Sequence, residues 1–159
     1  MLFAPIAKAG MLIRKPISEV FEAVVNPDIT TRFWFSRSTG RLEPGKQIRW
    51  EWATYDVAAQ VRVRELEKNR RLLMEWSAFG APTRVEWRFS SRGDNKTFVE
   101  VTNTGFGGEE DEIARQAIDS TEGFTLVLAG LKAFLEHGIE LNLVSDRFPD
   151  GPSGNGRKH

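Results

Sequence analysis

From Gln47 to Val101 the apolar residues recur at every second position, segment after segment; from Glu109 to Ile139 they recur at helical spacing. That change of period constrains the fold more than any other feature. In KQIRWEWA, Ile48, Trp50 and Trp52 point one way while Gln47, Arg49 and Glu51 point the other. DVAAQVRVREL sets Val57, Ala59, Val61 and Val63 against Ala58, Gln60, Arg62 and Arg64. RLLMEWSA sets Leu72, Met74 and Trp76 against Leu73 and Glu75. TRVEWRFS sets Val85, Trp87 and Phe89 against Arg84, Glu86 and Arg88, and KTFVEVTN sets Val99 and Val101 against Phe98 and Glu100. Such alternation predicts an antiparallel sheet with one buried and one wet face. Turn chemistry at Glu43-Pro44-Gly45, Lys68-Asn69, Ala81-Pro82 and Arg92-Gly93-Asp94-Asn95 joins the strands into a meander of hairpins.

The flanks supply the rest of an α+β fold. Ala7 to Arg14 is β-compatible. PISEVFEAVVN reads as a short helix with Ser18 as N-cap and an apolar face of Val20, Phe21, Val24 and Val25, stopped at Asn26-Pro27. A further helical turn is expected over Ile29 to Phe33. The final helix opens on Glu109, Glu110, Asp111 and Glu112, where the helix dipole favours negative charge, and is expected to run to about Glu136. Its broad apolar face carries Ile113, Ala117, Ser120, Thr121, Phe124, Leu128, Leu131, Leu135 and Ile139. Gly123 and Gly130 lie inside it, each costing about 1 kcal/mol against alanine, which predicts close packing at both. One long apolar helix must cover the concave face of a curved sheet, and such a grip leaves a volume between them. The expected organisation is one domain over 1–145 and a disordered Gly/Pro/Ser-rich tail over 146–159.

Composition excludes several functions. The chain has 159 residues and no cysteine, so disulfide and thiolate chemistry are out and a reducing compartment is natural. Lysine plus arginine equals aspartate plus glutamate at 22 each, without the basic excess of a nucleic-acid binder. No apolar run is long enough to span a membrane, and the N-terminal apolar residues are broken by Pro5, Lys8 and Gly10. The expectation is a cytoplasmic protein. No cofactor is implied, and no His/Asp/Glu cluster has metal-ligand spacing. Of two histidines, His159 is in the tail and His137 is placed to cap a helix C-terminus, so a Ser-His-Asp arrangement cannot be assembled.

PISEVFEAVVNP (Pro16 to Pro27), FWFSRSTGRLEPGKQIRWEW (Phe33 to Trp52), TFVEVTNTGF (Thr97 to Phe106) and STEGFTLVLAGLKAFLEHG (Ser120 to Gly138) together resemble the START-like superfamily, also called SRPBCC, with its helix-grip fold. More narrowly they resemble the bacterial single-domain relatives of the activator of the heat-shock-protein-ninety ATPase. The resemblance covers about residues 6–143. It implies a curved antiparallel sheet, two short N-terminal helices and a long C-terminal helix, with a cavity between that helix and the sheet. Carried over, it implicates Trp50, Trp52, Met74, Trp76, Trp87 and Phe89 from strands. From the final helix it implicates Ser120, Thr121, Phe124, Thr125 and Leu128. Phe33, Trp34 and Phe35 would sit at the cavity mouth.

Each of these residues also has a plain structural reading. The tryptophans can be ordinary core, although an indole N–H wants a partner and several on one face favour a partly wet or ligand-filled interior. Three consecutive aromatics cannot all face one way on a strand or helix, so at least one of Phe33 to Phe35 is expected exposed or at the edge of the core; the segment reads as a hydrophobic plug between the short helices and the sheet, or as a gate or docking patch. Ser120, Thr121 and Thr125 can bond back to a carbonyl one turn earlier, or anchor a ligand head group. Glu51, Glu75, Glu86 and Glu100 are expected to pair with Arg49, Arg62, Arg64, Arg84 and Arg88 on the wet face.

The leading function is therefore binding of a hydrophobic or aromatic small molecule, lipid- or polyketide-like. A co-chaperone-like interaction module is the second reading, with a chaperone as partner. A cyclase-like enzyme that shapes its substrate is the third; no acid–base pair is evident, and a non-enzyme is favoured. Homodimerisation through a sheet edge or the aromatic segment stays open.

Overall fold

The computed structural model describes residues 4–77 and 80–151. Seven strands form one antiparallel sheet: β1 (Ala7–Ile13), β2 (Arg37–Ser38), β3 (Gln47–Trp52), β4 (Val57–Glu67), β5 (Arg71–Ser77), β6 (Thr83–Ser91) and β7 (Thr97–Thr104). Their order is β1-β7-β6-β5-β4-β3-β2, so the meander from β2 to β7 closes against the N-terminal strand. Helices α1 (Ile17–Val25) and α2 (Pro27–Thr30) carry the chain from one sheet edge to the other. The long α3 (Glu110–His137) lies over the sheet and packs most closely on β1. This is the α+β helix-grip architecture. The expected alternation is present in every strand, with Ile48, Trp50, Val61, Val63, Leu72, Met74, Val85, Trp87, Val99 and Val101 buried.

A register shift between Val63 and Glu65 inserts Arg64 as an extra residue opposite β5. It reverses the phase of β4, so that Leu66 turns toward the core, and such a bulge adds local twist. On the wet face Arg64 pairs with Glu75, Arg37 and Arg49 with Glu51, and Lys8 with Glu100. Arg71, which was not among the expected partners, reaches Glu65, Glu86 and Glu67. The exposed pairs among these contribute about 0–1 kcal/mol each, while Arg71 and Glu86 are half-buried.

Three local expectations are corrected. Ser18 is not the N-cap of α1. Pro16 holds that position with extended backbone, and its carbonyl accepts from Glu19 and Val20 at 3.0 and 3.1 Å. Phe33, Trp34 and Phe35 are not at a rim: all three are buried. They lie in an irregular turn after α2 rather than on a strand or helix, so no fixed period forces one of them outward. The tail is not disordered from 146 onward. A short helix α4 spans Leu143–Arg147, and Phe148 is 3% exposed. Residues 152–159 of that tail lie outside the described residues.

The two helical glycines differ. At Gly130 an added Cβ would meet the Phe33 carbonyl oxygen at 3.2 Å and its Cβ at 3.3 Å. Close approach to the aromatic turn therefore explains this glycine. At Gly123 an added Cβ would meet nothing within 4 Å, so the expectation of close packing there is corrected. Near its C-terminus α3 is clamped to β1. Lys132 Nζ donates to the Leu12 carbonyl at 2.8 Å and to Glu136 at 2.7 Å, and Glu136 accepts from the Arg14 N–H at 2.8 Å. Gly138, in the left-handed region at φ 67°, ends the helix by donating to Phe134 O at 2.8 Å.

Gly130→Leu should destabilise the fold by about 1–3 kcal/mol through overpacking against Phe33, despite its better helix propensity; urea unfolding measures it. Burial raises the Glu136 carboxyl, but its bonds from Lys132 and from the Arg14 N–H outweigh burial and hold it below the usual carboxylate range. A depressed folded pKa stabilises above the unfolded value and loses that stabilisation as pH falls through the folded one. Glu136→Gln should therefore cost about 1–3 kcal/mol at pH 7, with the difference shrinking in urea titrations run at progressively lower pH below about 4.

Candidate functional site

A cavity of about 360 Å³ opens between the concave sheet face, the N-terminal half of α3 and the segment around α4. Its aromatic wall is built from Trp34, Trp52, Trp76, Phe106 and Phe124. Trp34 is the hub: its ring lies 4.8 Å from Trp50, 5.7 Å from Trp87, 5.8 Å from Phe124 and 5.9 Å from Trp76. The tilted and edge-on arrangements are those aromatic quadrupoles favour. Trp76 and Phe124 meet across the cavity wall at 5.6 Å, joining sheet to helix.

One side of the cavity is polar. Asn103 ends the inward row of β7 and is 2% exposed. Its Nδ2 donates to Thr83 Oγ1 at 3.0 Å and to Arg84 O at 2.7 Å, and its Oδ1 accepts from Ser120 Oγ at 2.8 Å. A buried amide is tolerable because these bonds satisfy it. Ser77, Thr83, Asn103 and Ser120 thus form a strip where β5, β6, β7 and α3 converge. Gly123 sits beside them, and its missing side chain keeps the helix surface low there.

The third wall comes from the C-terminal strap. Val144, Arg147 and Phe148 face the cavity. Asn142, in the left-handed region at φ 56°, turns the chain into α4. Hydrogen bonds from both sides hold the strap: the Tyr55 hydroxyl donates to Val144 O, and Arg147 donates to Glu122 at 2.7 and 3.2 Å. Burial pushes the Tyr55 phenol up, which keeps it a neutral donor. Arg147 also lies over the Phe148 ring at 4.3 Å, a cation–π contact. A smaller hollow of about 170 Å³ adjoins on the other side of Trp34, Trp52, Tyr55 and Val144.

Of the residues singled out in the sequence, the structure brings Trp34, Trp52, Trp76, Ser120 and Phe124 to the cavity wall. Trp50, Met74, Trp87, Phe89 and Leu128 lie in solid core behind it. The Trp87 indole N–H is buried with no hydrogen-bond partner, a cost borne by the core. Thr121 and Thr125 bond back to Ala117 O and Thr121 O, both at 2.7 Å, and Thr125 is exposed. Sequence reasoning missed Asn103, although a polar residue in the inward phase of an alternating strand was a readable signal. It also missed the strap, whose Phe148 is the one aromatic in a Gly/Pro-rich stretch. His137 is exposed at the end of α3. Among the described residues no acidic or histidine cluster could hold a metal, and no helix is long and apolar enough to cross a membrane.

The same architecture recurs in solved structures. The protein SSP2350 from Staphylococcus saprophyticus is 29% identical, with a TM-score of 0.73 over 86% of this chain and 95% of that one. The Aha1 dimer from Colwellia psychrerythraea is 18% identical, with a TM-score of 0.68 over 84% and 97%. CalU16 from Micromonospora echinospora is 17% identical, with a TM-score of 0.67 over 95% and 96%. The latter two establish shared fold alone. No curated protein sequence matches the chain. Residues 14–136 match the profile described as Activator of Hsp90 ATPase homolog 1-like protein, which spans α1 to α3 and stops before the strap. This chain therefore belongs to the Activator of Hsp90 ATPase homolog 1-like family.

Proposed function

We propose that this chain binds a hydrophobic, ring-containing small molecule between its sheet and α3 and holds it away from water. The observation that carries this reading is the cavity of about 360 Å³, with a wall of aromatic rings, a neutral strip of Ser77, Thr83, Asn103 and Ser120, and charged Asp119, Glu122 and Arg147 also lining it. Its size falls within the range of about 300–1,000 Å³ of small-molecule pockets, and an apolar wall with a few placed polar groups is their usual design. Trp and Phe would supply contact area, and the polar strip would orient the ligand. The strip is neutral and internally bonded, which favours binding or shaping over proton transfer.

A second reading, association with a chaperone ATPase, draws on the family description and on the fold shared with PFC0360w from Plasmodium falciparum, described as an HSP90 activator and 16% identical. It would use the outer surface and leave the cavity without a part to play. Capture of the chaperone ATPase by immobilised protein supports it; capture of none counts against it.

Native mass spectrometry of gently purified protein, compared with the denatured sample, is expected to show an extra mass that leaves on denaturation. Gly123→Leu provides the structural control. Its side chain points into open space, so the fold should stay as stable or gain about 1 kcal/mol of helix propensity. Bound ligand should fall at least tenfold. A variant that stays folded and retains its ligand would refute the cavity as the binding site.

A further inference from the structure

Tyr55 both separates the two hollows and fastens the strap. It borders the cavity of about 360 Å³ and the smaller hollow of about 170 Å³, together with Trp34, Trp52 and Val144. Its hydroxyl donates to Val144 O and accepts from the Phe148 backbone N–H. Those two groups stand four residues apart at the end of α4, the spacing of one helical hydrogen bond. The phenol thus sits in the place of a bond that α4 can close by itself. We propose that this hydroxyl is a latch: when it lets go, the strap swings out, the two hollows join, and the site takes an elongated ring compound with a hydroxyl-bearing arm. This inference rests on the binding role proposed above.

The strap is lightly held. Residues 137–142 are exposed, Ile139 and Leu141 among them, and from there to 150 Phe148 alone is buried. Segments with few buried contacts are the first to open. Gly138 and Asn142, in the left-handed region at φ 67° and 56°, bracket the linker. Arg147 and Glu122 are part-exposed, so their fork tethers the strap without fixing its place. Neither backbone group is orphaned by the motion. Val144 O and the Phe148 N–H exchange the phenol for each other, and the phenol exchanges them for ligand or water. Two complete hydrogen-bonding states are what a two-state element requires.

The two volumes differ in character, and this sets the ligand class. The larger has its wall of indole and phenyl rings. The smaller is lined by Thr31, Ser36, Thr54, Asn142 and Ser145, beside the Arg32–Glu140 pair. A fused ring therefore belongs in the first, and an uncharged arm ending in a hydroxyl, which donates and accepts, in the second. With the latch closed, Tyr55 and Val144 stand between the two parts.

The test uses three probes that share one ring: methoxynaphthalene, the naphthyl ether of diethylene glycol, and naphthyl hexyl ether, with binding read by equilibrium dialysis. Tyr55→Phe keeps the ring and removes the latch, so the cost of opening it no longer weakens a probe with an arm. The affinity of the glycol ether relative to methoxynaphthalene should rise at least tenfold over its wild-type value, and the hexyl ether should gain less. Hydrogen exchange gives a readout independent of the variant's folding. In the wild type, backbone amides of 143–148 should exchange at least tenfold faster with the glycol ether bound than with methoxynaphthalene bound. An unchanged affinity ratio in Tyr55→Phe, or strap amides equally protected under both probes, overturns the latch and leaves the cavity reading standing, since methoxynaphthalene still binds. A hexyl ether that gains as much as the glycol ether overturns the polar arm. Binding of none of the three to either form overturns the cavity reading and this inference with it.

Discussion

Phe124, Leu128 and Leu131 of α3 press onto the concave face of the sheet, and Trp34 is driven between them and Trp50, Trp76 and Trp87. The rest of the structure depends on this wedge. Each buried indole removes about 150–250 Å² from water, or about 4–6 kcal/mol at 25 cal/mol/Å². The wedge also divides the helix. C-terminal to Phe124, α3 sits tightly: Gly130 admits the Phe33 backbone, and Lys132 and Glu136 tie the helix to β1. N-terminal to it, the cavity opens between helix and sheet, bridged by the Ser120–Asn103 bond. The two glycines of α3 mark these regimes, one buried under a neighbour and one facing open space.

The strands were legible because a sheet with one wet face writes its geometry into the sequence at period two. Trp76 and Trp87 show how far that goes. Both belong to the inward row, yet Trp76 borders the cavity and Trp87 is sealed behind Trp34. Parity gives the face of the sheet and not the depth. Depth depends on where Trp34 inserts, and that follows from an irregular turn with no period to read. Phe33 to Phe35 were misplaced for the same reason. The strap was hidden differently: it is seven residues long, NLVSDRF, and runs straight into a Gly/Pro-rich stretch, while Phe148 and an Arg147–Glu122 fork hold it in place.

Family membership accounts for most of the sheet, for α1 and α2 and for the grip of α3, because the matched residues 14–136 contain β2 to β7 and all three helices but for the last residue of α3, while β1 lies just before them. It does not account for the strap that supplies Val144, Arg147 and Phe148 to the cavity. One fold can serve unrelated functions, so function has to be argued from the cavity lining and not from the family match. Among the described residues, the strap brings the guanidinium that lines the cavity and the cavity's third wall. Both arrive from beyond the family core.

Stability and binding are then carried by different parts of one helix. Substitutions at Leu128, Leu131 or Gly130 act on the packed half, where a changed volume is felt directly as strain or cavity. A substitution at Gly123 acts on the half that borders the cavity, where an added side chain meets open volume, while Ser120 and Glu122 there carry bonds to Asn103 and to the strap. This separation lets the cavity lining vary in polarity and charge while the wedge of Trp34 keeps the fold. It also means that loss of folding in a tryptophan variant says nothing about a ligand: Trp34 and Trp76 belong to both halves at once.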